Sequence, residues 1–385
     1  MDLRALLAKT IELGGSDLHL KVGSPPHVRI DGELVPLEHP PVSEDQSEQV
    51  LALITERTPR RYEHFMEFGD LDTSFSAPGV GRFRINGFRQ KGDISFALRF
   101  VPAQVPTLEG LGLPPGVEKL ANEQRGLILV TGATGSGKTT SLAAMIDHVN
   151  KTRRQHIVTL EDPIEIVHRD NSCVVQQREV GLDVDSYFEG MRRVLRQDPD
   201  VILIGELRDE ESARVALQAG ESGHLVLSTM HTLDAHETVG RLIELFPTNK
   251  QLLVRQIMSS VLRGVISQRL LPRVGGGRIA AVELMMTTAR IAEMIREPAK
   301  TDGITKAIEE GGVHLMQTYQ QHLVQLTLDG VVDEQTSANA ASNRHDFELA
   351  LSRAKRTKEA ADVAEMGAAK AAELRTPGAD SLRVA

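Results

Sequence analysis

The chain has 385 residues, 44 of them Lys or Arg and 53 Asp or Glu, giving a formal charge of −9 at pH 7. That length allows two or three domains, and 41% apolar with 25% charged residues is an ordinary soluble globular composition. A single cysteine, Cys173, excludes an internal disulfide framework and any multi-cysteine zinc or iron–sulfur site, while the absence of Trp and an acidic balance count against a stacking surface for single strands and against whole-chain DNA binding.

In chain order, residues 2–13 place Leu3, Leu6, Leu7 and Ile11 on one helical face before Gly14 and Gly15 end the run. Residues 16–22 alternate apolar and polar as a strand does. Val28 and Ile30 lead through Asp31-Gly32 to Leu34 and Val35, a two-residue hairpin signal. A helix is expected over 43–56, and residues 81–86 and 94–100 alternate as strands joined near Lys91, Gly92 and Asp93. Residues 1–100 therefore read as a small α+β domain on an antiparallel sheet. Pro102, Pro106, Pro114 and Pro115 make 101–115 a semi-rigid linker or hinge.

Beyond the linker, residues 116–352 read as an α/β domain. Apolar runs at 126–131, 156–161, 201–205, 224–228 and 278–283 alternate with helical stretches. Continuous rather than alternating apolar runs are what a largely parallel sheet covered on both faces requires. From about 287 onward the pattern is helical. Residues 353–385 are Ala/Lys/Glu-rich at first and are expected to form a tail, frayed or disordered. No stretch resembles a signal peptide, and the longest uncharged run, 126–137, is too short to span a bilayer. The chain reads as cytoplasmic.

The strongest motif is Gly132, Ala133, Thr134, Gly135, Ser136, Gly137, Lys138 and Thr139, a full match to GxxxxGK[ST], followed by Thr140. It follows an expected strand and opens an expected helix, the context in which backbone N–H groups and the helix N-terminus close around a phosphate. Lys138 is placed to reach the β- and γ-phosphates of ATP, and the Thr139 hydroxyl to hold Mg²⁺. Hydrolysis needs further groups that position water. Glu206 ends the apolar run 201–205, with Gly205 where an Asp is customary, and Glu161, Asp162 and Glu165 cluster at the end of another run. The carboxyl ends of parallel strands are where ligands sit. His224 and His231 bracket a further run, at a spacing that fits no zinc pair.

The order of the P-loop, Glu161 to Glu165, Gln177 to Gly181, Arg196 to Glu206 and Gly223 to His231 resembles the secretion ATPase superfamily. It is most similar to the type IV pilus retraction (twitching motility) ATPases of the PilT/PilU kind, over roughly residues 1–350. The resemblance implies a PAS-like N-terminal domain, a RecA-like ATPase domain and a homo-hexameric ring. It makes Glu206 the Walker-B glutamate, with water between it and Mg²⁺, puts Glu161 and Glu165 in an aspartate box, and makes His224 and His231 a histidine box that senses the γ-phosphate. Which of Glu165 and Glu206 acts as general base stays open in the sequence. The family also uses N-terminal-domain arginines to complete a neighbouring subunit's site, for which Arg84 and Arg99 are the candidates; Arg82 shares a strand face with Arg84. As partners it implies an inner-membrane pilus platform protein, which would hold the chain at the inner face of the cytoplasmic membrane, and a paralogous retraction ATPase, with no nucleic acid.

The departures bear on the branch. Cys173 alone cannot build the four-cysteine zinc module of extension ATPases, whereas Ala292 and Leu315 stand where the main retraction motors carry other residues. Main against accessory motor is left open. An assembly-direction secretion ATPase, a nucleic-acid translocase and a nucleotide-gated switch without turnover are the alternatives.

Overall fold

The computed structural model describes residues 1–102 and 104–373. The first helix, α1 (Leu3–Glu12), is capped by the Asp2 carboxylate and buries Leu3, Leu6 and Leu7. It leads into β1 (Asp17–Lys21), β2 (His27–Ile30) and β3 (Glu33–Pro36). The β2–β3 turn is the one the sequence implies. Asp31 and Gly32 both adopt positive φ, +48° and +91°, which matches the twist of a two-residue hairpin. Ser43 and Gln46 form a capping box on α2 (Glu44–Thr55). Then come α3 (Pro59–Phe68), β4 (Asp70–Ala77), β5 (Gly81–Gln90) and β6 (Asp93–Val101). The six strands form one antiparallel sheet in the order β3-β2-β1-β6-β5-β4. Its core packs Leu7, Leu18, Phe65, Phe83, Ile85 and Leu98.

The linker is shorter than its Pro content suggests. Leu108 is buried in the second core, and Leu111 and Leu113 pack against it. The second half of 101–115 thus belongs to the following domain; Ala103 lies outside the described residues.

That domain begins with α4 (Pro115–Ala121) and β7 (Gly126–Thr131), followed by α5 (Lys138–Thr152), β8 (His156–Glu161), β9 (Val174–Glu179) and α6 (Tyr187–Val194). It continues through β10 (Val201–Ile204), α7 (Glu210–Glu221), β11 (Leu225–Met230), α8 (Ala235–Glu244), α9 (Gln251–Val261), β12 (Leu262–Pro272) and β13 (Arg278–Met286). The seven strands run β13-β12-β7-β11-β10-β8-β9, parallel throughout except for the β12–β13 hairpin. Every residue of β7, β10 and β11 is buried, as helices on both faces demand.

The chain closes with α10 (Ala289–Arg296), α11 (Ile304–Glu309), α12 (Tyr319–Leu328), α13 (Glu334–Ala340) and α14 (Arg344–Glu373). A satellite core of Tyr319, Leu323, Phe347 and Leu351 fixes α12 and α14 onto Leu271 and Ile279 of the β12–β13 hairpin. Of the tail expected over 353–385, frayed or disordered, residues 353–373 continue α14. Residues 374–385 lie outside the described residues. Among the described residues no helix is long and apolar enough to cross a membrane.

Candidate functional site

Four strands adjacent in space, β7, β11, β10 and β8, deliver the chemistry at their carboxyl ends. β7 runs into the Gly-rich loop, β8 ends on Glu161, β10 is followed by Gly205 and Glu206, and β11 is followed by His231. They surround a cavity of about 580 Å³, lined also by Thr134, Lys138, Thr139, Thr140, Glu165, Arg99, Arg208 and Arg278.

The loop has the shape a phosphate needs. Gly132, Gly135 and Gly137 adopt φ of +140°, +78° and +90°, and Gly137 precedes the first turn of α5. A Cβ on Gly132 would stand 2.4 Å from the Gln268 carbonyl oxygen, so the loop is wedged against β12 and tolerates glycine alone there. Lys138 Nζ donates to the carbonyls of Gly132 (2.7 Å) and Ala133 (3.1 Å). Burial lowers its pKa, a shift that Glu206 and Glu165 oppose. Ser136 Oγ is buried with no partner. An ammonium folded onto its own loop and an orphaned hydroxyl both suit a bound phosphate. The Thr139 hydroxyl and Glu206 line the same cavity and fit Mg²⁺ brought with the nucleotide; among the described residues no cluster of three or more His, Cys, Asp or Glu is arranged to hold a metal by itself.

The acids are held differently from one another. Glu206 accepts from Arg208 Nε at 2.7 Å, and its other oxygen lies 3.1 Å from His231 Nε2. A side chain at 205 would meet the Tyr187 hydroxyl 2.4 Å away, so the acid of this strand moves one residue on, to Glu206. Glu161 is half-buried at the cavity wall and accepts from Thr159 Oγ1 (2.6 Å) and Gln177 Nε2 (3.0 Å). Burial pushes its pKa up, against the lowering effect of those two donors. Glu165 is half exposed at the cavity wall.

The arginines arrive from the antiparallel sheet. Arg84 on β5 stands directly opposite Arg99 on β6. Arg84 Nη1 is 4.0 Å from Glu165 Oε1, while Arg99 lines the cavity and donates to Asp17 at 2.8 Å. Two like charges in one cross-strand pair repel unless an anion lies between them. Within the single chain both therefore stand beside this chain's own cavity. His224 stands apart from this cavity. It precedes β11, bonded to Ser222 and the Ala219 carbonyl, at the opposite end of the strand from His231. At about 3.3 Å per residue that is roughly 20 Å away, so the two histidines do not share this cavity.

Sequence reasoning passed over Arg208, Tyr187, Thr159 and Arg278. Arg208 was within reach, two residues past Glu206; the other three come from places that no motif marks.

A glycine-rich loop between a buried parallel strand and a helix, with acids and a histidine on the neighbouring strand ends, defines a P-loop nucleotide-binding ATPase. A profile of the Type II/IV secretion system protein family matches residues 103–276. The Pseudomonas aeruginosa protein described as type IV pilus retraction ATPase PilT is 43% identical over 348 residues, 90% of this chain and all of that protein. Pseudomonas aeruginosa type IV pilus ATPase PilU is 39% identical, over 91% of each chain. A crystal structure of the pilus retraction motor PilT with bound ADP superposes with a TM-score of 0.83 at 42% identity, covering 91% of this chain and 99% of that one. The chain belongs to the type II/IV secretion ATPase family, in its PilT/PilU branch.

Proposed function

We propose that the chain is a homo-hexameric ATP-hydrolysing motor for type IV pilus retraction, built from a PAS-like N-terminal domain and a RecA-like ATPase domain. The observation that carries it is the cavity, where phosphate loop, Glu206, Glu161, Glu165 and His231 meet Arg99 of the N-terminal domain, with Arg84 4.0 Å from Glu165. Relatives named for retraction over nearly the whole chain supply the direction of the work.

Backbone N–H groups of the Gly-rich loop and Lys138 hold the β- and γ-phosphates. The Thr139 hydroxyl, and Glu206 through water, would hold Mg²⁺, which would supply charge neutralisation on those phosphates. Glu206 or Glu165 orients the attacking water, with Glu161 behind them and His231 reporting the γ-phosphate through its contact with Glu206. Arg84 and Arg99 place positive charge where it develops in the transition state. After hydrolysis they lose that partner, so the N-terminal domain is released and turns about the segment before Leu108. A membrane platform protein of the pilus machinery would receive the motion, and a PilU-type paralogue would share the ring's task; both would keep the chain, among whose described residues no helix is long and apolar enough to cross a membrane, at the cytoplasmic face of the inner membrane. The net charge of −9 gives no support to a nucleic-acid track.

Phosphate release from ATP by the parent and by Glu206→Ala tests the enzyme, with loss in the variant expected. Arg84→Ala and Arg99→Ala should each lower kcat by about a thousandfold, the lower end of the scale of a transition-state arginine; parent-like rates in both would remove the arginines from the mechanism. Deleting the gene tests direction: hyperpiliated, non-twitching cells support retraction, and bald cells refute it.

A further inference from the structure

We propose that Glu179 is a positioning residue that ties the seating of the N-terminal domain to the placement of the acidic loop 161–165. Glu179 ends β9 and has no exposed surface. A buried carboxylate is tolerated where several donors surround it, and here the donors come from three separate segments. Ser74 Oγ on β4 lies 2.9 Å from both carboxylate oxygens, and Arg82 Nη2 on β5 lies 2.6 Å from Oε2. The third donor is the backbone N–H of Ile164, 3.2 Å from that same Oε2 and one residue before Glu165. Two donors therefore belong to the N-terminal domain and one to the loop that carries the site acids.

The surroundings make this a seam with a defined register. Asp183 anchors the Glu179 main chain by accepting from its N–H at 2.8 Å. One turn away Arg61 donates to the carbonyls of Val180 (2.9 Å) and Gly181 (3.1 Å) across the seam and to that of Asp72 on its own side. Gly181 has φ of +79°, and a Cβ there would lie 2.5 Å from Arg61 Nη2, so the guanidinium seats only against glycine. When the N-terminal domain lifts, Glu179 loses Ser74 and Arg82 together. Its oxygens then turn to water, and the Ile164 N–H loses the acceptor that fixes the loop. Seating reverses each step. Arg82, beside Arg84 on the same strand face, thereby acts on the acids through Glu179 rather than by touching the nucleotide.

The proposal rests on the ATPase reading only for its effect on turnover, so the decisive measurement does without hydrolysis. Amide hydrogen exchange is followed by mass spectrometry on the full-length assembly over 161–166 and 70–86, for the parent, Arg82→Met, Arg82→Lys and Glu179→Gln. Arg82→Met should speed exchange over 161–166 by about tenfold, the effect of one charge-assisted hydrogen bond, although the altered residue lies in the other domain. Arg82→Lys should restore most of the protection. In ATP hydrolysis Arg82→Met should lower kcat by about tenfold while KM stays within about threefold, the signature of lost positioning. Exchange that rises over 70–86 but stays at the parent value over 161–166 in both Arg82→Met and Glu179→Gln would overturn the proposal, since Arg82 would then brace only its own sheet. Altered exchange over 161–166 in a protein that releases no phosphate would uphold the coupling and refute the ATPase reading instead.

Discussion

Glu161 offers the sharpest quantitative test of the site. Its carboxylate is partly buried, with Thr159 Oγ1 and Gln177 Nε2 both donating to Oε1. Burial raises its pKa and those donors lower it. Thr159→Val keeps the side-chain shape in a position that is 1% exposed, so no water replaces the missing hydroxyl. A hydrogen bond to a charged group contributes about 1.5–3 kcal/mol. With Gln177 still in place the lower end applies, and about 1.4 kcal/mol corresponds to about one pH unit. The donor stabilises the charged form, so its loss must move the pKa upward. If ionised Glu161 is required, the acid limb of kcat/KM for ATP hydrolysis, measured between about pH 5 and 9, shifts up by about one unit, with the alkaline plateau little changed. A limb that stays in place in Thr159→Val would show that the ionisation of Glu161 does not govern turnover.

Two further outcomes follow from the geometry. Gly132→Ala puts a Cβ against the Gln268 carbonyl at 2.4 Å in a loop held at φ of +140°; ADP affinity by calorimetry should fall at least about tenfold while circular dichroism stays that of the parent. His322 accepts the Val282 N–H on Nδ1, and burial lowers its pKa to about 4 from the ordinary 6.5. The folded state therefore binds its proton less readily than the unfolded state, so this contribution to stability is present above pH 6.5 and is lost as pH falls toward 4, by up to about 3 kcal/mol. Urea midpoints at pH 7 and pH 4.5 should diverge less in His322→Gln than in the parent; equal pH slopes would refute the assignment.

Much of the first sheet was legible because local chemistry decides it. Asp31-Gly32 and Lys91-Gly92 admit the positive φ that their hairpins need, and both form where the pattern puts them. The β7, β8, β10 and β11 runs were legible for a related reason, since a strand covered on both faces has no polar side to show. The misses have physical causes as well. β4 alternates Leu71, Thr73, Phe75 and Ala77 with Asp70, Asp72, Ser74 and Ser76; that period of two was there to read, but Asp and Ser are poor strand formers and mask it. β12 follows α9 with no intervening turn residue, and its buried run continues the apolar character of the helix.

By itself the sequence determined the phosphate loop, its strand and helix, the acids at strand ends and the family, because each of these is written in contiguous residues. Only the tertiary structure decided which of them meet. The strand order β7-β11-β10-β8 departs from chain order and gathers Lys138, His231, Glu206 and Glu161 around one cavity, while leaving His224 at the far end of its strand. It also turned three similar arginines to different partners: Arg84 to Glu165, Arg99 to Asp17 at the cavity wall, and Arg82 to the buried Glu179. Alternation along a strand assigns a side chain to a face. What stands opposite that face is set by the docking of a second domain, and no local pattern carries that information.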